Sequence, residues 1–138
     1  MRIMAIDYGD AHTGIAISDP TGFLAGFTTV INAYRPEVVA EQVAALAKEH
    51  GVEELVLGHP INMDGTRGPR SEKAQAMKAL LEETTSLPVV LRDERRTTID
   101  AHQILMNSGK NAKKRKKVVD AVAATLILEG YLTYKKSH

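Results

Sequence analysis

Arg2-Ile3-Met4-Ala5-Ile6-Asp7-Tyr8-Gly9 opens the chain, and Thr13-Gly14-Ile15-Ala16-Ile17-Ser18-Asp19 follows after three residues. The first run is mostly apolar up to Asp7, and the second alternates apolar with small or polar residues. This pattern predicts a strand, a turn permitted by glycine, and a second strand running back beside the first. A strand covered on both faces is apolar throughout, so a carboxylate in it belongs at the end, where it meets water, a cation or a substrate. Asp7 is that residue, and the rest of the chain is read for its partners.

Gly22 to Ile31 is rich in aromatic and β-branched residues and predicts a third antiparallel strand. Pro36 suits the first turn of a helix whose apolar positions Val39, Val43, Leu46 and Ala47 recur at helical spacing until His50-Gly51 closes it. Glu54 to Gly58 is a short apolar run, read as a buried strand. The stretch from Gly58 to Pro69, with its glycines, prolines, Asn62 and Asp64, is a shaped loop at the strand's C-terminal end. A helix is expected from Ser71, as its cap, through Ala74, Met77, Leu80 and Leu81 to Thr84. Val89 to Arg92 is a further strand leading into Asp93-Glu94-Arg95. Thr97 or Thr98 caps a helix reaching Gly109, Lys110 to Lys117 forms a basic loop, and a last helix runs from Val118 to Leu132 with Val119, Val122, Ala123, Leu126 and Ile127 on its core side. Three meandering strands followed by helix-linked strands give an α/β fold: a five-stranded mixed sheet, three strands antiparallel and then two parallel, flanked by helices. At 138 residues the chain is expected to form one domain, 1–138.

The chain has no cysteine, which excludes disulfides, thiolate metal sites and a cysteine nucleophile. No apolar stretch approaches the roughly 20 residues that span a bilayer, and no export signal opens the chain, so a cytoplasmic protein without membrane contact is expected. The formal net charge of +1 is unevenly spread. Six of the eight residues from Lys110 to Lys117 are basic; removing them leaves 12 basic against 17 acidic residues, or −5. One concentrated basic segment on a mildly acidic chain suits a polyanionic partner met at one place.

In an open α/β sheet, ligands gather beyond the C-terminal ends of the parallel strands. Asp7 and Glu94 are expected there, and Asp120 shares a helical face with Ala123, Ala124 and Ile127. A carboxylate on an apolar face needs a partner, and a cation held jointly by Asp7, Glu94 and Asp120 would be one. Mg²⁺ and Mn²⁺ prefer oxygen ligands, and two such ions about 4 Å apart can activate a water and stabilise the leaving oxygen of a phosphodiester. The neighbouring Lys110, Lys113, Lys114, Arg115, Lys116 and Lys117 could hold the phosphate backbone, as could Arg67, Arg70 and Arg95 in the loops. Each piece has a plainer reading: Asp7 as a turn residue, Glu94 as part of a solvated charge cluster, Asp120 as an acid at a helix start, the lysines as a solvated loop. Their joint placement favours a site. Tyr8 is read as packing under the sheet in preference to stacking on a base, and the five histidines show no metal-ligand spacing.

Asp7-Tyr8-Gly9 with Gly14-Ile15-Ala16, Gly58-His59-Pro60 with Asn62-Met63-Asp64-Gly65 and Gly68-Pro69, Asp93-Glu94-Arg95 with Thr97-Thr98, and Asp120 before an alanine-rich helix together resemble the YqgF/RuvX family of Holliday-junction-resolvase-like nucleases. The resemblance covers nearly the whole chain. It implies a ribonuclease H-like fold, a bacterial cytoplasmic setting, divalent-metal-dependent nuclease activity, and a role in maturing the 5′ end of pre-16S ribosomal RNA. It maps the family's acidic triad onto Asp7, Glu94 and Asp120, with Mg²⁺ or Mn²⁺ as cofactor. In the turn after the first strand, where the family often has a basic residue, this chain has Ala11-His12-Thr13. Two other readings compete: a resolvase of branched DNA, resting on fold similarity alone, and a nucleic-acid-binding factor without catalysis. An ATP-binding lobe is a weaker third, because such proteins need two lobes. Monomer and homodimer are both open.

Overall fold

The computed structural model describes residues 1–19, 25–59, 69–93 and 112–137. In chain order its elements are β1 (Arg2–Asp7), β2 (His12–Ser18), β3 (Ala25–Asn32), α1 (Pro36–His50), β4 (Val52–His59), α2 (Pro69–Thr85), β5 (Val89–Asp93) and α3 (Ala112–Ser137). The strands form one five-stranded sheet in the order β3-β2-β1-β4-β5. β1 pairs antiparallel with β2, and β2 with β3; β1 pairs parallel with β4, and β4 with β5. The expected mixed sheet is thus observed, and its physical cause is connection length. The links after β1 and β2 are too short for a crossover, whereas α1 and α2 carry the chain back for parallel pairing.

Strand alternation divides the core between two faces. Met4, Ile6, Ile15, Ile17, Leu55 and Leu57 pack against Val39, Val43 and Ala47 of α1 and Ala74, Met77 and Leu81 of α2. Ile3, Ala5, Ala16 and Val56 pack on the other side against Ala124, Ile127, Leu128, Tyr131 and Leu132 of α3. Ala5 and Ala16 are direct cross-strand partners, and two methyl groups side by side let a helix approach the sheet closely. α1 begins with Pro36 and ends at Gly51, whose φ of 66° is left-handed, a conformation glycine adopts without a Cβ penalty. The Arg2 Nη1 donates to the His50 carbonyl at 2.8 Å, tying the start of β1 to the end of this helix. Among the described residues no helix is long and apolar enough to cross a membrane.

Several boundaries differ from those read in the sequence. β3 is described from Ala25 and β4 runs from Val52 to His59, longer than the apolar run alone suggests. Ser71 is not a cap: α2 starts at Pro69, and Ser71 is fully buried inside it, accepting a long bond from Gln75 Nε2 at 3.4 Å. The basic run from Lys113 to Lys117 is helix and not loop, because α3 starts at Ala112. Lysine and arginine are good helix formers, and extending a docked helix adds one hydrogen bond per residue without a new nucleus. Asp120 therefore lies well inside α3, whose first turn holds no acid, which removes the reading of Asp120 as a helix-start residue. The core side of α3 is also rotated from the expected one: Leu128 is fully buried, while Val122 and Leu126 are only half-buried. The helix expected from Thr97 or Thr98 to Gly109 lies outside the described residues.

Candidate functional site

Asp7 is the last residue of β1 and the cross-strand partner of Gly14. β1 and β4 are parallel, with Ile6 level with Leu57, so Asp7 stands at the C-terminal edge of the parallel strands. Alternation from Ile3 and Ala5 gives it the α3 face of the sheet. It is half-buried, a position where a carboxylate keeps some access to water.

The turn after Asp7 is closed tightly. A Cβ added to Gly9 would run into the His12 carbonyl oxygen, which is backbone and cannot rotate aside. His12 meets Asn32 through Nδ1 and Oδ1 at 2.6 Å, and the Ala33 N–H donates to the Ala11 carbonyl at 3.1 Å. The end of β3 therefore braces the turn from one side. From the other, Lys73 on α2 reaches Asp10 at 2.9 Å, a pair whose side chains are both more than half exposed. Tyr8 packs against the core under α1 and α2, as expected of it. Burial raises its hydroxyl pKa above the ordinary range, and Asp10 adds to this. Thr13 is fully buried, and its hydroxyl is the one buried side-chain polar atom among the described residues without a hydrogen-bond partner.

Of the other expected residues, the structure places fewer. β5 ends at Asp93, which pairs with His59; Glu94 follows it and lies outside the described residues, as do Arg67, Arg95 and Lys110. Asp120 is placed by its backbone, four residues before Ala124 and seven before Ile127, both buried against the sheet. Lys113, Lys114, Arg115, Lys116 and Lys117 are likewise placed only as helical backbone, and Arg70 as part of α2. Among the described residues, no three His, Cys, Asp or Glu side chains gather as a metal site. Two charged residues not singled out from the sequence do stand near the rim: Lys73, at Asp10, and Arg92, on β5 level with Gly58. For Lys73 the sequence held no signal, since its partner is 63 residues away. Arg92 was visible only as a charged end to an apolar strand.

The model of the family described as "RuvX: Holliday junction resolvase" matches residues 1–134. The chain belongs to the RuvX family. Relatives support the assignment over nearly their full length. A protein of Halothermothrix orenii called "Putative pre-16S rRNA nuclease" is 44% identical over 135 residues, covering 98% of this chain and 96% of its own. One of the same name from Bacillus subtilis is 42% identical over 134 residues, covering 96% and 97%. Among solved structures, Thermus thermophilus RuvC in complex with Holliday junction substrate superposes with a TM-score of 0.65 at 14% identity, covering 99% of this chain and 96% of that one. The Fowlpox virus resolvase superposes with a TM-score of 0.59 at 12% identity, covering 98% and 99%. At such identities the likeness is one of fold, and the RuvX chain has the ribonuclease H-like architecture of these resolvases.

Proposed function

We propose that this chain is a divalent-metal-dependent endonuclease acting on structured nucleic acid, and that its substrate is the 5′ region of pre-16S ribosomal RNA, with Asp7, Glu94 and Asp120 holding Mg²⁺ or Mn²⁺. The observation that carries the proposal is the position of Asp7: the end of a central strand, at the C-terminal edge of the sheet, on the face covered by the helix that contains Asp120. α3 has the necessary reach. Its Tyr131 is bonded to Glu54, which pairs with Ile3 near the start of β1. From Tyr131 back to Asp120 is eleven residues, about 16 Å of helix axis. From Ile3 to Asp7 is four residues, about 13 Å of strand. A helix inclined across the strands can therefore bring Asp120 level with Asp7. Val90 and Arg92 of β5 both meet α3; Glu94, two residues beyond Arg92 in the sequence, lies outside the described residues.

The donor set fits the ions. Three carboxylates offer only hard oxygen ligands, the set Mg²⁺ and Mn²⁺ prefer, and no thiolate or histidine spacing competes. When bound, such an ion lowers the pKa of a coordinated water and offsets the charge of the phosphate. The chain's own contribution is to fix Asp7 through the braced turn, and the basic run Lys113 to Lys117, in the same helix as Asp120, is the segment proposed to meet the phosphate backbone. The RNA assignment rests on the names of the relatives, and the resolvase alternative on the fold.

The test is cleavage of precursor 16S RNA and of a four-way DNA junction, each with Mg²⁺, with Mn²⁺ and with chelator. The parent protein should cut the RNA with either metal and not with chelator. Asp7→Asn should lose more than about 100-fold in rate, the scale of removing one preorganised electrostatic group, while keeping its melting temperature and RNA affinity. Undiminished cleavage by that variant would reject the acidic site, and preference for the junction would reject the RNA assignment.

A further inference from the structure

Arg92 is held in an unusual way. A Cβ built on Gly130 of α3 would meet its Nε at 3.4 Å and its Nη2 at 3.5 Å, so the guanidinium rests against the helix backbone with no side chain between them. Its Cζ stands 5.7 Å from the centre of the Tyr134 ring. Tyr134 stacks on Tyr131 with centroids 6.2 Å apart and planes inclined by 20°. The Tyr131 hydroxyl in turn donates to Glu54 Oε1 at 2.6 Å, and Lys135 lies over the Tyr131 ring and pairs with Glu54. Tyr131 is thus pinned, and it backs Tyr134, a residue that is 48% exposed.

Among the described residues this arrangement holds no acceptor for the guanidinium. A guanidinium has five N–H donors in a rigid fork that matches carboxylate and phosphate oxygens. Among the described residues, none hydrogen-bonds or ion-pairs with Arg92. The residue is half-buried, so part of it meets solvent. A half-buried, stacked arginine beside an exposed tyrosine presents the two groups that a flexible nucleic acid strand offers ligands for: a phosphate and an unpaired base.

We propose that Arg92 and Tyr134 form a binding site for a single-stranded segment of nucleic acid, Arg92 taking a phosphate and the Tyr134 ring stacking on a base. The proposal rests on the nucleic-acid reading of the preceding section and extends it to a second surface. Arg92 is two residues before Glu94 and on the α3 face, so the strand held there flanks the candidate acidic site. The base must be unpaired, because a paired base in a helix has both faces stacked already. A duplex therefore gains little here, and the surface selects substrates with a single-stranded flank.

Fluorescence anisotropy of the full-length chain with a labelled, unstructured RNA decamer and with a duplex of equal length tests this, in chelator so that nothing is cut. Tyr134→Ala should weaken decamer binding about 5- to 100-fold, the effect of losing one base–aromatic stack, with little change for the duplex. Tyr134→Phe should bind as the parent does, since the ring remains. Arg92→Gln should reduce the slope of log affinity against log salt by about 0.7, one phosphate on a single strand. Circular dichroism and melting temperature identify any variant that has lost its fold, and Tyr134→Phe and Arg92→Gln carry the test if Tyr134→Ala does so. Parental affinity and slope in both Tyr134→Ala and Arg92→Gln would overturn the proposal. So would a parent that does not bind the decamer, or equal losses for decamer and duplex. A parent that binds through these residues yet cuts nothing would sink the nuclease reading and leave this one standing; a parent that cuts while the variants bind normally would do the reverse.

Discussion

Replacing Gly9 with alanine measures how tightly the β1–β2 turn must close for Asp7 to stand where it does. The added methyl group would collide with the His12 carbonyl oxygen, and no rotamer change relieves a clash with backbone. The turn cannot simply swing away, because Ala33 holds Ala11 by a backbone hydrogen bond and His12 is paired with Asn32 on β3. Overpacking of this kind costs about 1–3 kcal/mol. For a chain of this length each kcal/mol is worth roughly 3–4 °C in melting temperature, so the variant should melt about 3–12 °C lower. A catalytic group displaced by about 1 Å can lose about 100-fold in rate, so cleavage should fall by roughly 10- to 100-fold at temperatures where the variant is still folded. Gly51→Ala is the matched control. Gly51 has a φ of +66° but nothing within 4 Å of an added Cβ, so it should lose about 1–2 kcal/mol through backbone conformation alone and keep full cleavage. The reasoning fails if Gly9→Ala melts with the parent and cuts at its rate, or if Gly51→Ala loses as much activity.

Two further outcomes concern the seat of α3. Leu128 is fully buried against the sheet, so Leu128→Ala should cost about 2–5 kcal/mol in urea unfolding; a loss below about 1 kcal/mol would mean the helix is not packed there. Burial, with the bond to Glu54, raises the Tyr131 hydroxyl from 10.0 to about 12. The folded state then holds that proton more tightly than the unfolded chain does, so this contribution is intact below pH 10 and is lost as the pH rises through about 12. Tyr131→Phe should flatten the fall in stability across that window, leaving the part due to Tyr8, whose pKa is also raised. An equally steep fall in the variant would contradict the assignment.

The sheet was legible because its strands obey simple rules. β1 is apolar on both faces because both are covered, and Pro36 and Gly51 mark the ends of α1 by their backbone preferences. The place of Asp7 followed from the same logic, a carboxylate at the end of a buried strand. The start of α3 was not legible, since a run of lysines reads as a solvated loop although each lysine is a good helix former and the helix beyond it is docked. Ser71 was misread for a related reason: a hydroxyl before an apolar run suggests a cap, but Pro69 had already begun the helix. The contacts of Lys73 with Asp10 and of Arg92 with Tyr134 join residues far apart in the chain, and only the packed sheet and helices bring them together.

One consequence follows from the length of α3. A single uninterrupted rod carries the lysine-rich stretch at its outer end and Asp120 a turn or so further in, then continues down the sheet to Tyr131. Tension applied to the outer end cannot be absorbed by a slack joint. On the proposed reading, a load on those first turns is passed along the helix backbone to Asp120, so binding and cleavage would be mechanically coupled. Inserting a flexible glycine-rich hinge between Lys117 and Asp120 would uncouple the two and leave a protein that still holds its cargo but no longer feels it.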